Sequence, residues 1–319
     1  MTEETPANVA ASAISPEKRA SLMRLATYAS VSVAAVLILV KFGAWVMTDS
    51  VSLLSTLIDS FMDVAASLIN LFAVRHALQP ADQEHRFGHG KAEPLSGLAQ
   101  AAFISGSAAF LLIEAAERIF NPKSIENSDI GLATMAFAIC ATVILVIFQK
   151  YVVRRTGSVA IGADSLHYQA DVLVNASVIV SLLLATEMGW SAADPLFAIA
   201  IAAYIVWGAW RIARSALDQL MDHELPPEDR RRIYDIATKR AGVSDLHDLR
   251  TRTSGTQVFI QLHLEMDGKM PLREAHEISD QVMFDVQHAF PNAEVLIHAD
   301  PEELEEEHAV LERRGKVAG

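Results

Sequence analysis

The sequence predicts an α-helical membrane protein with six transmembrane helices, joined to a small soluble α+β domain of order αββαβ. Three observations predict it. The chain of 319 residues is 51% hydrophobic yet carries 39 acidic against 26 basic residues, for a formal charge of −13. That charge is unevenly placed: residues 220–319 hold 21 Asp and Glu against 12 Lys and Arg, and the first 219 hold 18 against 14. Finally, long apolar runs fill the first part, and period-two and helical patterns replace them in the second. An apolar N-terminal part is thus joined to an acidic soluble one. A pI near 5.3 with no basic stripe argues against nucleic acid as a partner.

The apolar runs are Leu22–Met47, Val51–Val74, Pro94–Phe120, Ile130–Val153, Val159–Ala185 and Pro195–Ile212. Each is roughly 18 to 27 residues, enough to cross ~30 Å of hydrocarbon at ~1.5 Å per residue. The first is too long for a signal peptide, lacks a small-residue cleavage site and is followed at once by another span, so it is expected to stay in the mature protein. Cys140, the single cysteine, lies in an apolar run and reads as a buried small hydrophobe.

Lys and Arg in the connections set the orientation. Lys18, Arg19 and Arg24 precede the first span, Arg75, Arg86 and Lys91 separate the second and third, Lys150, Arg154 and Arg155 the fourth and fifth, and Arg211 and Arg214 close the sixth. The opposite connections carry only Arg118 and Lys123. Both termini and the acidic domain are therefore expected in the cytoplasm.

Residues 1–17 are rich in Ala, Ser, Thr and Glu and are expected to be disordered, with the membrane domain over 18–219. A soluble domain follows over 220–301. Pro226-Pro227 starts a helix near Glu228–Ala241, then come Leu246–Thr253 and Gln257–Met266, where Val258, Ile260, Leu262 and Leu264 alternate with Phe259, Gln261, His263 and Glu265. Period two means a half-buried strand. Leu272–Phe290 shows a helical stripe, and Glu294–His298 is a last short strand, giving a small sheet with helices on one face. The run 302–319 is expected to be an acidic, solvated tail.

Charges inside apolar spans are costly unless they face a polar cavity or one another, so they are functional candidates by default. Asp59 and Asp63 lie in the second span, and Asp164, His167 and Asp171 in the fifth. Asp59/Asp63 and His167/Asp171 are both i,i+4 pairs, so each occupies one helix face. Counted from the cytoplasmic ends, Asp63 and Asp59 lie about 18 and 24 Å deep, and His167 and Asp171 about 14 and 20 Å. The depths overlap. Three carboxylates and one imidazole make a four-ligand site suited to a tetrahedral divalent cation, zinc first among them. The bland alternative is that each pair separately lines a proton or water path or joins helices by hydrogen bonds; coincident depth and spacing favour the shared site. Asp164, nearer the cytoplasmic end, reads as interfacial. Because ligand carboxylates and imidazole must be unprotonated, metal and protons compete for the same atoms, which points to proton-coupled antiport.

Between the second and third spans, Asp82, His85 and His89 with Gly88 and Gly90 fit either a second metal site or a polar, mobile loop. His76, beside Arg75, reads as interfacial. In the soluble domain His247, His263, His276, His298 and Asp300 can gather at one sheet edge if the strands pair, or remain scattered surface residues.

The segments Asp59-Ser60-Phe61-Met62-Asp63, His85-Arg86-Phe87-Gly88-His89-Gly90-Lys91, Asp164-Ser165-Leu166-His167-Tyr168-Gln169-Ala170-Asp171 and His247-Asp248-Leu249-Arg250 strongly resemble the cation diffusion facilitator family, and among its members the bacterial zinc/ferrous-iron efflux pumps. The resemblance covers about residues 20–301. It implies a homodimer in the bacterial cytoplasmic membrane with a ferredoxin-like cytoplasmic domain that dimerises around Zn2+. It implies a transport site at Asp59, Asp63, His167 and Asp171, a loop site at Asp82, His85 and His89, and a binuclear domain site at His247, His263, His276, His298 and a bridging Asp300. It further implies a charge pair between Lys91 and Asp222, a hydrophobic gate at Leu166, and alternating access coupled to zinc in the domain.

The expectation is thus a divalent cation efflux transporter with metal ions, protons, the lipid bilayer and a second copy as partners. Zinc is the first candidate substrate; ferrous iron, cadmium, cobalt and nickel accept similar ligands. Two other classes fit the sequence less well. An intramembrane metal enzyme lacks a His-Glu-x-x-His motif or an activated nucleophile, and its ligands would saturate a tetrahedral ion. A metal-responsive sensor leaves the mid-membrane carboxylates without a role.

Overall fold

The computed structural model describes residues 14–48, 51–120, 129–188, 190 and 193–302. The segment 1–13, the connections around 49–50 and 121–128, and the tail over 303–319, for which disorder, topology and solvation are expected, lie outside the described residues.

Six long helices come first: α1 (Pro16–Thr48), α2 (Val51–Ala77), α3 (Ala92–Phe120), α4 (Asp129–Thr156), α5 (Val159–Met188) and α6 (Ala193–Leu220). α1 begins two residues before the expected edge of the membrane domain, because Pro16 fits the first helical position and the Ser15 hydroxyl accepts the Lys18 N–H at 3.4 Å. By length and composition, α1, α6 and segments of α2, α3 and α4 are apolar enough to cross a membrane. α5 carries Asp164, His167 and Asp171 within an otherwise apolar sequence, and its first half is shielded by the bundle, with Ala160, Ile161, Ala163, Asp164 and Tyr168 all buried.

The bundle turns large apolar side chains outward, with Leu39, Phe110, Ile144 and Trp210 all more than 60% exposed. Inside, small residues let helices approach. Ala101, Ala108, Ala170, Ala202 and Ala209 join Ile104, Leu166, Ile201 and Ile205 where α3, α5 and α6 meet. A Cβ at Gly208 of α6 would stand 2.8 Å from both terminal methyls of Leu166, so a side chain there would push Leu166 out of this position. A second cluster packs Met23 and Ala26 of α1 with Val74 of α2, Val152 of α4 and Ala160 and Ile161 of α5. Cys140, expected to be buried, is exposed on α4: its run is apolar because it belongs to a spanning helix, and apolarity there does not specify which face points inward.

The chain divides into two compact units at Leu217/Asp218. The second contains α7 (Pro227–Thr238), β1 (Asp245–Ser254), β2 (Gln257–Met266), α8 (Leu272–Ala289) and β3 (Ala293–Pro301). Its three-stranded sheet has the order β1-β2-β3, with β1 antiparallel and β3 parallel to β2. The expected αββαβ order is present. Ile233 and Ala237 of α7, Val282 and Val286 of α8, and Val258, Ile260, Leu262 and Leu264 of β2 form one core, so both helices cover one face and the other stays polar. Alternation along β2 then sends His263 and Glu265 to that polar face.

Candidate metal centres

The mid-membrane centre is built by α2 and α5. His167 Nε2 lies 3.1 Å from Asp63 Oδ1 and 3.8 Å from Asp171 Oδ2. One ligand atom from each of the three residues falls within 4.8 Å of the others, close enough to share one ion. Asp59, expected as the fourth ligand, stands one turn away on α2, exposed and outside this trio. Phe103 of α3 packs its ring 5.9 Å from that of His167. Leu166, the expected gate, faces Gly208 and the α3–α6 interface.

Asp164 is enclosed by the bundle rather than open at its surface. It is 1% exposed, and its Oδ2 accepts hydrogen bonds from Ser30 of α1 and Gln149 of α4, both at 2.7 Å. Ser30 meets Ser67 of α2 at 3.1 Å, and Ser67 meets the Tyr168 hydroxyl at 2.8 Å. Four helices are thereby tied by one buried polar network, one turn of α5 from His167. Spacing from the helix end gave depth along the axis, but not the α1 and α4 partners that bury this carboxylate.

The loop centre comes from the turn after α2. Asp82 Oδ1 accepts the backbone N–H groups of Glu84 at 2.9 Å and His85 at 2.6 Å, an Asx turn that aims the carboxylate inward. Gly88, at φ +76°, reverses the chain where a side chain would be strained. Asp82 Oδ1 then lies 3.4 Å from His85 Nδ1, and Oδ2 lies 3.4 Å from His89 Nε2. The His85 N–H holds the Asp82 carboxyl below the usual carboxylate range, helped by the Glu84 N–H and the two imidazoles. His76, on the last turn of α2, packs its ring 4.5 Å from that of His89. The three expected ligands do come together.

In the second unit, strand register does the assembling. His247 pairs with His263, and His263 with His298, so three imidazoles form one row across the sheet. Asp300, two residues after His298, returns to the same face. Its Oδ2 lies 2.7 Å from His263 Nδ1 and 3.4 Å from His247 Nε2, and its Oδ1 lies 2.9 Å from His298 Nε2. One carboxylate thus touches three imidazoles with both oxygens. His276 is on α8, exposed and beside Asp280 at 3.6 Å, and does not join the cluster. A register shift after His247 puts Asp248 at φ +46°, pairs it with Arg250 and brings Oδ2 within 3.9 Å of His263.

The expected charge pair divides between the two units. Asp222, at φ +56°, accepts from Arg252 at 3.3 Å, and the Arg252 guanidinium lies 4.3 Å above the Phe259 ring. Lys91 sits at the entry to α3, where its carbonyl accepts the Leu95 N–H.

Residues 27–221 match the family described as the cation efflux transmembrane domain, and 225–302 match the cation efflux protein cytoplasmic domain. The chain belongs to the cation diffusion facilitator family. It is 48% identical over 282 residues to the cation-efflux pump FieF of Serratia proteamaculans, covering 88% of this chain and 94% of that one. It is 49% identical over 279 residues to FieF of Yersinia pestis, covering 88% and 93%. Among solved structures it is similar to the zinc form of a putative zinc transporter, CzrB, at 35% identity over 27% of this chain and 99% of that one, TM-score 0.25. The metal-bound C-terminal domain of the CzcD transporter from Thermotoga maritima is 29% identical over 29% and 98%, TM-score 0.23. Membership makes this a membrane transporter of cations rather than an enzyme.

Two residues escaped the sequence reading. Lys41 lies inside the first apolar run, and its Nζ donates to Ser60 Oγ at 2.6 Å and to the Thr56 carbonyl at 3.2 Å on α2. A lysine amid Val, Leu and Phe was as visible a signal as the aspartates. Glu265, opposite Asp300 in the sheet register, places Oε1 2.9 Å from His247 Nδ1; it was visible only as a polar residue on an alternating strand.

Proposed function

We propose that the chain exports divalent cations, zinc first, from the cytoplasm across a bacterial cytoplasmic membrane in exchange for protons, working as a homodimer with both termini in the cytoplasm. The observation that carries this reading is the Asp63, His167 and Asp171 trio on two apolar helices. Carboxylates held against an imidazole inside a membrane bundle have one economical use, an ion that all three can share. Asp59, one turn along α2, completes the set when a helix turn or side-chain rotation brings it in, which is how an alternating-access cycle would change coordination between its two faces.

The donor set favours zinc or cadmium over manganese or magnesium, because one imidazole replaces a hard oxygen. Relatives named cation-efflux pumps support the export direction. Proton exchange follows from competition: a proton on His167 or on a carboxylate occupies the lone pair that the metal needs. Leu166 serves as the gate beside His167, and Lys91 with Asp222 as the charge pair between membrane and soluble domains. The cytoplasmic site of His247, His263, His298 and Asp300 binds zinc structurally, with His276 reaching the site of a second copy.

The test is a competitive flux panel of divalent metals in proteoliposomes under an imposed pH gradient. Zinc flux that acidifies the compartment it leaves and saturates at the lowest concentration supports the reading. Metal movement with no opposing proton movement sinks antiport.

A further inference from the structure

We propose that His76 is the fourth ligand of the loop centre, closing it as a tetrahedral three-nitrogen, one-oxygen site for a divalent cation of the zinc type and fastening the end of α2 to the loop. The inference rests on reading Asp82, His85 and His89 as a metal site. Those three side chains leave a tetrahedral ion one ligand short. A fourth imidazole, His76, lies against His89 but outside the 4.8 Å grouping of the other three, so its side chain must rotate in to reach a shared ion.

The ring of His76 lies 4.5 Å from that of His89, and the ring of His85 lies 4.6 Å from His89 on another side. Two imidazoles on one tetrahedral ion, each with a metal–nitrogen bond of ~2.0–2.1 Å, have ring centres about 5 Å apart. The observed spacings are close to that. In the cytoplasmic row the equivalent spacings are 5.2 and 4.8 Å. Apolar stacking is a poor explanation for three imidazoles meeting at the membrane surface, where each would be better solvated alone.

His89 supplies an independent sign. It is 8% exposed, and its Nδ1 is buried with no hydrogen-bond partner among the described residues. A buried ring nitrogen without a partner is costly, and a cation offsets that cost only when it takes Nδ1 itself. Nε2 stands 3.4 Å from Asp82 Oδ2, and Nδ1 is the nitrogen that no described residue engages. His76 itself is exposed, so its side chain can rotate onto the ion without displacing packed neighbours.

The consequence reaches the transport helix. His76 lies thirteen residues after Asp63 on α2, about 20 Å along the axis. An ion held by His76 and by the loop before α3 pins the inner end of the helix that carries Asp63. Metal at the loop then restrains the helix that moves metal through the membrane.

The test uses full-length protein carrying Asp63→Ala and Asp300→Ala, which silences the other two centres, titrated with cobalt(II) and then zinc. The parent is expected to bind one ion with the strong visible absorption of tetrahedral cobalt. His76→Gln should weaken binding at least about tenfold, the lower end of what losing even an outer partner costs, and reduce that absorption toward the weak bands of higher coordination. His76→Cys should restore tight binding with a sulfur charge-transfer band. Unchanged affinity and spectrum in His76→Gln overturn the fourth ligand while leaving the loop site standing. Unchanged binding in His89→Ala overturns the loop site and the inference with it. If the parent does not fold, the same titration in otherwise unaltered protein keeps the question open to refutation: His89→Ala must remove one ion per chain and His76→Gln must weaken that same ion.

Discussion

His167 Nε2 lies 3.1 Å from Asp63 Oδ1 although 104 positions separate the two residues. α2 and α5 are brought together at the depth where each carries its ionisable pair, and the imidazole is the only nitrogen in the trio. His167→Asp would make the site all oxygen. Zinc flux is then expected to fall at least tenfold while manganese flux holds or rises, read by competition in proteoliposomes. An unaltered order of metals would count against His167 as a ligand.

Lys41 places a cation beside the same site, anchored on α2 through Ser60 and Thr56. A fixed positive charge there opposes a bound dication and eases its release. Lys41→Met should tighten metal binding by about tenfold, equivalent to ~1.4 kcal/mol, and lower the maximal transport rate. Equilibrium binding and initial-rate flux on the same preparation separate the two effects; looser binding would show that Lys41 supports the site instead.

Asp164 holds α1 and α4 onto α5 through Ser30 and Gln149. Gln149→Leu removes one donor from a buried carboxylate and should cost about 1.5–3 kcal/mol, the range for hydrogen bonds to charged groups. Thermal unfolding in detergent should show a clear fall in Tm. A variant as stable as the parent would mean that the network contributes little.

Asp300 touches His247, His263 and His298 at once. Asp300→Ala should strip zinc from the cytoplasmic domain and leave the membrane trio intact. Metal analysis of the washed protein gives the answer: full retention of domain zinc would reduce Asp300 to a bystander.

At the loop, the His85 and Glu84 N–H groups and the nearby imidazoles hold the Asp82 carboxyl below the usual carboxylate range. The sign follows: a depressed carboxyl keeps its charge as pH falls through the usual carboxylate range and loses it only below that range, so its contribution to metal binding persists there. Asp82→Asn should weaken zinc binding throughout that range, measured by chelator competition across a pH series, and unchanged binding would count against Asp82 as a ligand.

Much of this was legible in the sequence because helical and strand periods are local. Six apolar runs gave six helices, and alternation along Val258–Leu264 gave the strand that aims His263 outward. What stayed hidden was lateral. Depth counting placed Asp164 along its axis but could not see Ser30 and Gln149 closing over it. Apolarity put Cys140 in a spanning helix but not on its inner face. Spacing gathered Asp82, His85 and His89, whereas His76 needed the fold to turn α2's last residues toward His89. Register, too, was beyond the sequence: only pairing of β2 with both neighbours puts His247, His263 and His298 in one row.

The proposed crossing point for metal is the trio of Asp63, His167 and Asp171. Its most direct test is zinc flux into proteoliposomes driven by a pH gradient, comparing the unaltered chain with Asp63→Ala. Zinc transport with opposing proton movement is expected in the first, and loss of both in the second, which should still bind zinc through its cytoplasmic domain. Undiminished zinc transport by Asp63→Ala would contradict it.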